Sequence, residues 1–186
     1  KTTLKNNGIM GIDLGISKAA TIAFNTTNNY YFIDGGEIEH HRKQVESRRR
    51  QLLRAGKYSG GGRVGHGRRK RIEPILKLSK KAANFRETTN HKYSKYIVEL
   101  AIKHNVERIQ MENLKNISKS SKFLSSWSYY DLQTKIEYKA KEKGIEVIKI
   151  NPRYTSQRCS KCGHIDDNNR STQETFQCIQ CHFKTN

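Results

Sequence analysis

Four cysteines, all within the last 28 residues, place the tightest constraint on this 186-residue chain. They stand as Cys159-x2-Cys162, a spacer of 15 residues, then Cys178-x2-Cys181. Each C-x2-C turn can aim two thiolates at one point, so two such turns build a closed tetrahedral sulfur site. Four protein ligands leave no open position, and the implied Zn2+ is structural, not catalytic. A secreted disulfide scaffold would spread its cysteines along the chain and follow a signal sequence, whereas bunched pairs suit a reducing compartment. His164 and His182 could compete as ligands, but the four cysteines need no help, and both histidines are expected at the surface or in contact with phosphate.

Ahead of the cysteines the apolar pattern alternates between strand and helix periods. Residues 9–24 read as a strand, a turn at Ser17-Lys18 and a second strand; Asn25 to Asn29 is a turn cluster, and residues 30–36 are a third strand. Ile38, Val45 and Leu52 then recur every seven residues, a helix with a narrow apolar stripe, which six glycines between Gly56 and Gly67 interrupt. A second helix is expected from near Arg71, with Ile72, Ile75, Leu76 and Ala83 on one face, a bend around Thr88 to Asn90, and Phe85, Tyr93, Tyr96, Ile97 and Leu100 continuing the spacing. His104-Asn105 stops it, residues 106–113 form a fourth strand, and Lys115 to Ser126 is a polar linker. Trp127 to Lys143 is helical with Gly144 as its cap, and residues 145–152 form a fifth strand ended by Pro152. An antiparallel meander followed by strands alternating with helices is a mixed α/β sheet, and this order matches an RNase H-like fold. The expected organisation is an RNase H-like domain over 1–153, carrying a basic helical insertion at 37–103, followed by a zinc-binding domain over 154–186.

Charge points to the partner. The chain carries +19, and from Arg42 to Lys81 there are 15 Lys and Arg against two acids, which concentrates 13 of the 19 charges in 40 residues. Such a clustered field is balanced by a polyanion, although some of these side chains serve as solvated helix faces. No apolar run approaches membrane-spanning length, and the opening residues are not a signal peptide. Because the chain opens so close to its first strand, it is expected to be a fragment.

Two carboxylates complete the pattern. In GIDLG, residues 11–15, strand alternation puts Gly11, Asp13 and Gly15 on one face, so the acid has room for a metal ion and a phosphate backbone. A strand aspartate between glycines also suits a bulge or turn. Glu112 stands near the end of the fourth strand, where a carboxylate also caps a following turn. If the first and fourth strands are neighbours, Asp13 and Glu112 project side by side, and paired carboxylates suit one or two Mg2+ ions for phosphate chemistry.

GIDLG in a first strand, a later QMEN, and YTSQRCSKCG with a second C-x2-C resemble the TnpB-type transposon nucleases and related type V CRISPR effectors. Residues 35–75 and 84–102 resemble in particular the miniature type V-F effectors. The resemblance implies a RuvC-type, RNase H-like DNA endonuclease directed by guide RNA to target DNA in the prokaryotic cytoplasm, with a homodimer in the full-length effector. It puts the first two of three catalytic, Mg2+-holding acids on Asp13 and Glu112, and implies that the cysteine segment helps load target strands. The third acid normally follows the last cysteine pair; Asp34, Asp131, Asp166 and Asp167 do not suit that position, so this chain alone is expected to be inactive or weak. In such an enzyme Arg48, Arg49, Arg50, Arg68, Arg69 and Arg71 would bind phosphates of guide RNA or heteroduplex, and Arg158 would contact the substrate strand. Trp127, Tyr129 and Tyr130 could stack on bases, with Tyr129 more at home in the core. Charge and cysteines alone also suit a non-catalytic zinc-ribbon nucleic-acid-binding module, and the same fold also serves a transposon-encoded TnpB-type nuclease and a Holliday-junction resolvase or transposase. The pairing of GIDLG with QMEN favours a nuclease, and the position of the zinc insert favours the RNA-guided group.

Overall fold

A computed structural model describes residues 8–15, 17–58, 67–114, 129–151, 154, 156–170, 172 and 175–185; from 56 to 71 it describes the helical backbone at 56–58 and 67–71 but no side chains. Two compact units are present, 1–149 and 150–186.

The first unit is built on a five-stranded sheet in the order β3-β2-β1-β4-β5. Strands β1 (Ile9–Asp13), β2 (Lys18–Phe24) and β3 (Tyr30–Asp34) form the antiparallel meander, with a register shift between Lys18 and Ala20. β4 (Arg108–Glu112) returns to lie parallel to β1, and β5 (Glu146–Ile150) closes the far edge. The parallel return follows from the helices between the two strands, because only a long crossover can bring the chain back to the same end.

Alternation sorts the strand residues. Met10, Ile12, Ile22, Ile109 and Met111 are buried on one face, in a core that Ile97, Leu100, Leu132 and Ile136 complete from the helices. Gly11, Asp13, Thr21 and Phe32, with Gln110 and Glu112, alternate with them and lie on the opposite, more exposed face.

Helices α1 (Gly36–Tyr58) and α2 (Gly67–Lys103) form the expected hairpin. Its base is fastened by His41 stacked on Phe85 at 3.7 Å and by Lys92 paired with Glu37 at 3.4 Å. The Arg42 guanidinium, hydrogen-bonded to Glu39, draws that carboxyl down to about 2, so α1 keeps a negative first turn at its positive dipole end. From Ile72 to Asn84 no side chain of α2 is buried, and Leu76 is 62% exposed, so the apolar face read there does not enter the core.

The expected bend at Thr88 to Asn90 is absent: α2 begins at Gly67 and runs unbroken for 37 residues. Its polar residues are there for packing, not for a turn. Thr89, Asn90 and Ser94 are buried, and Asn90 and Ser94 bond to α3 (Tyr129–Glu142). Asn90 donates to Asp131 at 2.8 Å, and Lys139 donates to Ser94 and to the His91 carbonyl at 2.7 and 2.8 Å. Desolvation pushes the Asp131 carboxyl up, but the bonds from Asn90 and Lys135 outweigh it and hold the group below its ordinary range.

Both core helices end in the same way. Asn105 (φ 52°) and Gly144 (φ 75°) adopt the left-handed conformation, and Val106 and Ile145 bond back to the carbonyls of Ala101 and Ala140, each at 2.9 Å. Buried Val106 and Ile145 then lead directly into β4 and β5. Among the described residues, no helix is long and apolar enough to cross a membrane.

The second unit holds a two-stranded ribbon, β6 (Phe176–Gln177) and β7 (Lys184–Thr185), a bridge between Arg158 and Ile165, and a 3-10 turn at Asp167–Asn169 capped by Asp166.

Candidate active site and metal centre

β1 and β4 pair with Met10 opposite Ile109, Gly11 opposite Gln110 and Ile12 opposite Met111. Continuing that register by one residue sets Asp13 opposite Glu112, both on the face turned away from the core. Asp13 is exposed and Glu112 half-buried. A Cβ added at Gly11 would meet nothing within 4 Å, so the face beside the pair is open. Gly15 differs: its Cβ would lie 3.1 Å from the Lys18 carbonyl, so only one of the two flanking glycines provides free space.

Behind the acids stands α3. Tyr129 donates its hydroxyl to the Gly15 carbonyl at 2.9 Å, and Gln133 donates Nε2 to the backbone carbonyl of Glu112. Burial pushes the Tyr129 phenol up to about 12, so it remains a proton donor well into the alkaline range. Tyr129 is thus a core residue, whereas Tyr130 is exposed and Trp127 lies outside the described residues. Among the described residues no further His, Cys, Asp or Glu joins Asp13 and Glu112 in a group of three. Asp34 ends β3, Asp131 is bound to Asn90 and Lys135, and Asp166 caps the 3-10 turn.

The cysteines do converge. The sulfurs of Cys159, Cys162, Cys178 and Cys181 lie within 4.8 Å of one another, with Cys159–Cys181 at 3.6 Å and Cys162–Cys178 at 3.5 Å. A tetrahedral ion with bonds of about 2.3 Å needs sulfurs roughly 3.8 Å apart, so the donor set fits zinc in chemistry and size. Desolvation raises the Cys159 thiol, but backbone N–H groups of Cys162 and Lys161 prevail and bring it down to about 6. Cys162 is lowered by the His164 backbone yet ends at about 12, raised by desolvation and by the neighbouring sulfurs. Four thiolates therefore require a cation among them.

The two knuckles are built alike. Gly163 and His182 donate to the carbonyls of Cys159 and Cys178, each at 2.9 Å, and both take positive φ, 76° and 55°. The exposed His182 thus occupies the backbone position that glycine fills in the first knuckle, a use that its residue type does not advertise. Asn169 joins them: fully buried, it donates to the carbonyls of Gln157 and His164 at 2.8 and 3.3 Å and accepts from the Ile179 amide at 2.9 Å. Within a polar run of Asp and Asn it gave no sign of this role. Asn169→Leu is expected to cost the unit about 1–3 kcal/mol for stranded backbone groups, read as faster deuterium exchange at the Cys178 and Ile179 amides. Unchanged exchange would deny Asn169 that role.

Of the basic residues, Arg48, Arg49 and Arg50 are exposed on α1, Arg48 bonded to Gln51 at 3.2 Å and Arg50 4.0 Å from Glu46. Arg68, Arg69 and Arg71 lie in the first turns of α2, where no side chain is described, and Arg158 is exposed beside the first knuckle.

Comparison with known proteins agrees with this architecture. Residues 1–118 match the family described as "Probable transposase" (OrfB_IS605), and residues 129–186 match "Cas12f1-like, TNB domain". The chain is 59% identical over 181 residues to a CRISPR-associated endodeoxyribonuclease Cas12f1 from Sulfoacidibacillus thermotolerans, covering 97% of this chain and 43% of that protein. It is 52% identical over 185 residues to a protein of the same name from Syntrophomonas palmitatica, covering 98% and 37%. A solved Cas12f1-sgRNA-target DNA complex superposes with a TM-score of 0.73 at 31% identity, covering 96% of this chain and 46% of that one. The chain therefore spans less than half the length of these relatives. Sheet order, cysteine cluster and sequence agree on one lineage: the chain has an α/β, RuvC-like fold with a zinc-ribbon end and belongs to the TnpB-like family of miniature CRISPR-associated nucleases.

Proposed function

We propose that this chain is the RuvC-type nuclease portion of an RNA-guided DNA endonuclease, hydrolysing phosphodiester bonds at Asp13 and Glu112, with guide RNA and target DNA as partners in the prokaryotic cytoplasm. The observation that carries the reading is the parallel pairing of β1 with β4, which sets the two carboxylates abreast on an open sheet face. Further support comes from the names of the relatives, endodeoxyribonucleases, and from the sgRNA and target DNA in the related complex.

Two hard oxygen donors beside free space suit Mg2+, which keeps waters and binds phosphate oxygens. One or two such ions, when bound, would supply an activated water and charge to balance the leaving 3′ oxygen. The protein's share is geometric. Asp13 and Glu112 offer anionic oxygens from two strands of one rigid sheet, and the space over Gly11 admits a phosphate backbone. Unscreened, the same pair repels DNA. Successive residues of a helix are about 100° apart, so Arg48, Arg49 and Arg50 fan around roughly 200° of α1 and meet more than one backbone strand. In the cysteine unit, a Zn2+ held by four thiolates stabilises a fold that presents Arg158. With two carboxylates brought together among the described residues, this chain by itself is expected to be weak or inactive.

The complete protein, loaded with guide RNA and given matching DNA, is expected to cut only with Mg2+ or Mn2+ present. Cleavage undiminished in excess EDTA, or independent of the guide, would refute the reading. Guide-dependent DNA binding without any cutting would turn it into a non-catalytic nucleic-acid module.

A further inference from the structure

Asp13 and Glu112 stand where their ladder runs out: β1 ends at Asp13 and β4 at Glu112, and the chain beyond each leaves the sheet. Strand pairing therefore orients the backbone before each acid but not after it, and backbone polar groups at such ends need another partner. Both partners come from one helix. Tyr129 and Gln133 are four residues apart on α3, hence on the same face. Tyr129 donates to the carbonyl of Gly15, two residues past Asp13, and Gln133 donates to the carbonyl of Glu112 itself.

The choice of glutamine here is costly. Gln133 is 1% exposed between the fully buried Leu132 and Ile136, and its Oε1 is buried without a hydrogen-bond partner among the described residues. A methionine would fill similar space without stranding a polar atom, and a buried polar atom left unpaired is destabilising. An amide kept at that cost is explained by what its Nε2 holds.

We propose that Tyr129 and Gln133 are positioning residues that jointly set the spacing and aim of the Asp13 and Glu112 carboxylates, and with them the affinity of the pair for divalent metal. The proposal rests on the nuclease reading above. Groups one shell behind metal ligands typically change metal affinity or activity by about 10–100-fold when removed.

The test uses the complete nuclease with Gln133→Met and, separately, Tyr129→Phe, which removes only a hydroxyl. Mn2+ binding is followed by electron paramagnetic resonance without nucleic acid, alongside melting temperature and the Mg2+ dependence of cleavage. Gln133→Met is expected to weaken Mn2+ binding by about tenfold and to slow cleavage at limiting Mg2+, with part of the rate regained at high metal; Tyr129→Phe follows in the same direction, more weakly. A purely structural staple would lower the melting temperature without altering metal affinity in the folded protein. Unaltered Mn2+ affinity and Mg2+ dependence in Gln133→Met overturn the proposal, and if that variant fails to fold, the same result in Tyr129→Phe does so. Asp13→Asn serves as the separate control: if it too leaves Mn2+ binding and cleavage intact, the nuclease assignment falls, not merely the positioning role.

Discussion

Asp13→Asn in the complete, guide-loaded nuclease is expected to reduce DNA cleavage by about 10³-fold or more, with target binding and melting temperature close to wild type. Metal-supported charge stabilisation is worth several kcal/mol, and at 1.36 kcal/mol per decade about 4 kcal/mol already gives that factor. The substitution keeps shape and hydrogen-bonding capacity but removes the charge that attracts a divalent ion. Because Asp13 is exposed on the face away from the core, the fold loses little. Glu112→Gln should act alike, and the double variant should be scarcely worse than either single one, since residues acting as a unit do not add. Binding should hold or tighten, because one repulsion against phosphate disappears. Single-turnover cleavage on matched DNA, with binding by filter retention, separates these effects. Wild-type cleavage by either variant would remove the acid pair from the chemistry.

The second large effect concerns the cysteine unit. Cys178→Ser, or treatment with a strong chelator, is expected to unfold residues 150–186 while the sheet unit keeps its structure. Among the described residues of that unit, only Cys159, Cys178 and Asn169 are buried, so it has almost no apolar core apart from the metal-binding sulfurs. Domains below about 40 residues rarely fold without such a staple, and a structural zinc supplies an apparent 10–16 kcal/mol. Deuterium exchange after chelation should show full exchange through both knuckles and retained protection at Ile109 and Ile97. Protected knuckles after metal removal would mean that the unit stands by hydrogen bonds such as those of Asn169. Cleavage should fall too if the unit helps load the DNA strand.

Much of the sheet could be read in advance because strand alternation and turn residues are local. Met10, Ile12, Ile109 and Met111 announced their own faces, and Asn105 and Gly144 announced their helix ends. The cysteine spacing likewise encodes its geometry in the chain. The sequence misleads where a polar residue's partner is distant along the chain. Thr89 and Asn90 suggest a bend because nothing nearby tells that Asp131, 41 residues beyond Asn90, meets the latter. Gln133 and Asn169 are illegible for the same reason: a buried amide is indistinguishable from an exposed one until the groups it holds are known. At Ile72 and Leu76 helical periodicity was present, but it marked a face without a core to enter.

The length of α2 has a mechanical consequence. At 1.5 Å per residue its 37 residues form a shaft roughly 55 Å long; among its described side chains, burial is confined to the stretch from Thr89 onward, where Asn90 and Ser94 bond to α3. The outer half, where no described side chain from Ile72 to Asn84 is buried, is therefore a lever with its fulcrum at that polar seam. A pivot of about 5° at the fulcrum swings a 30 Å arm by roughly 2–3 Å. A polyanion pulling on the arginine-laden tip would thus exert torque, through that seam, on α3, the helix that carries Tyr129 and Gln133.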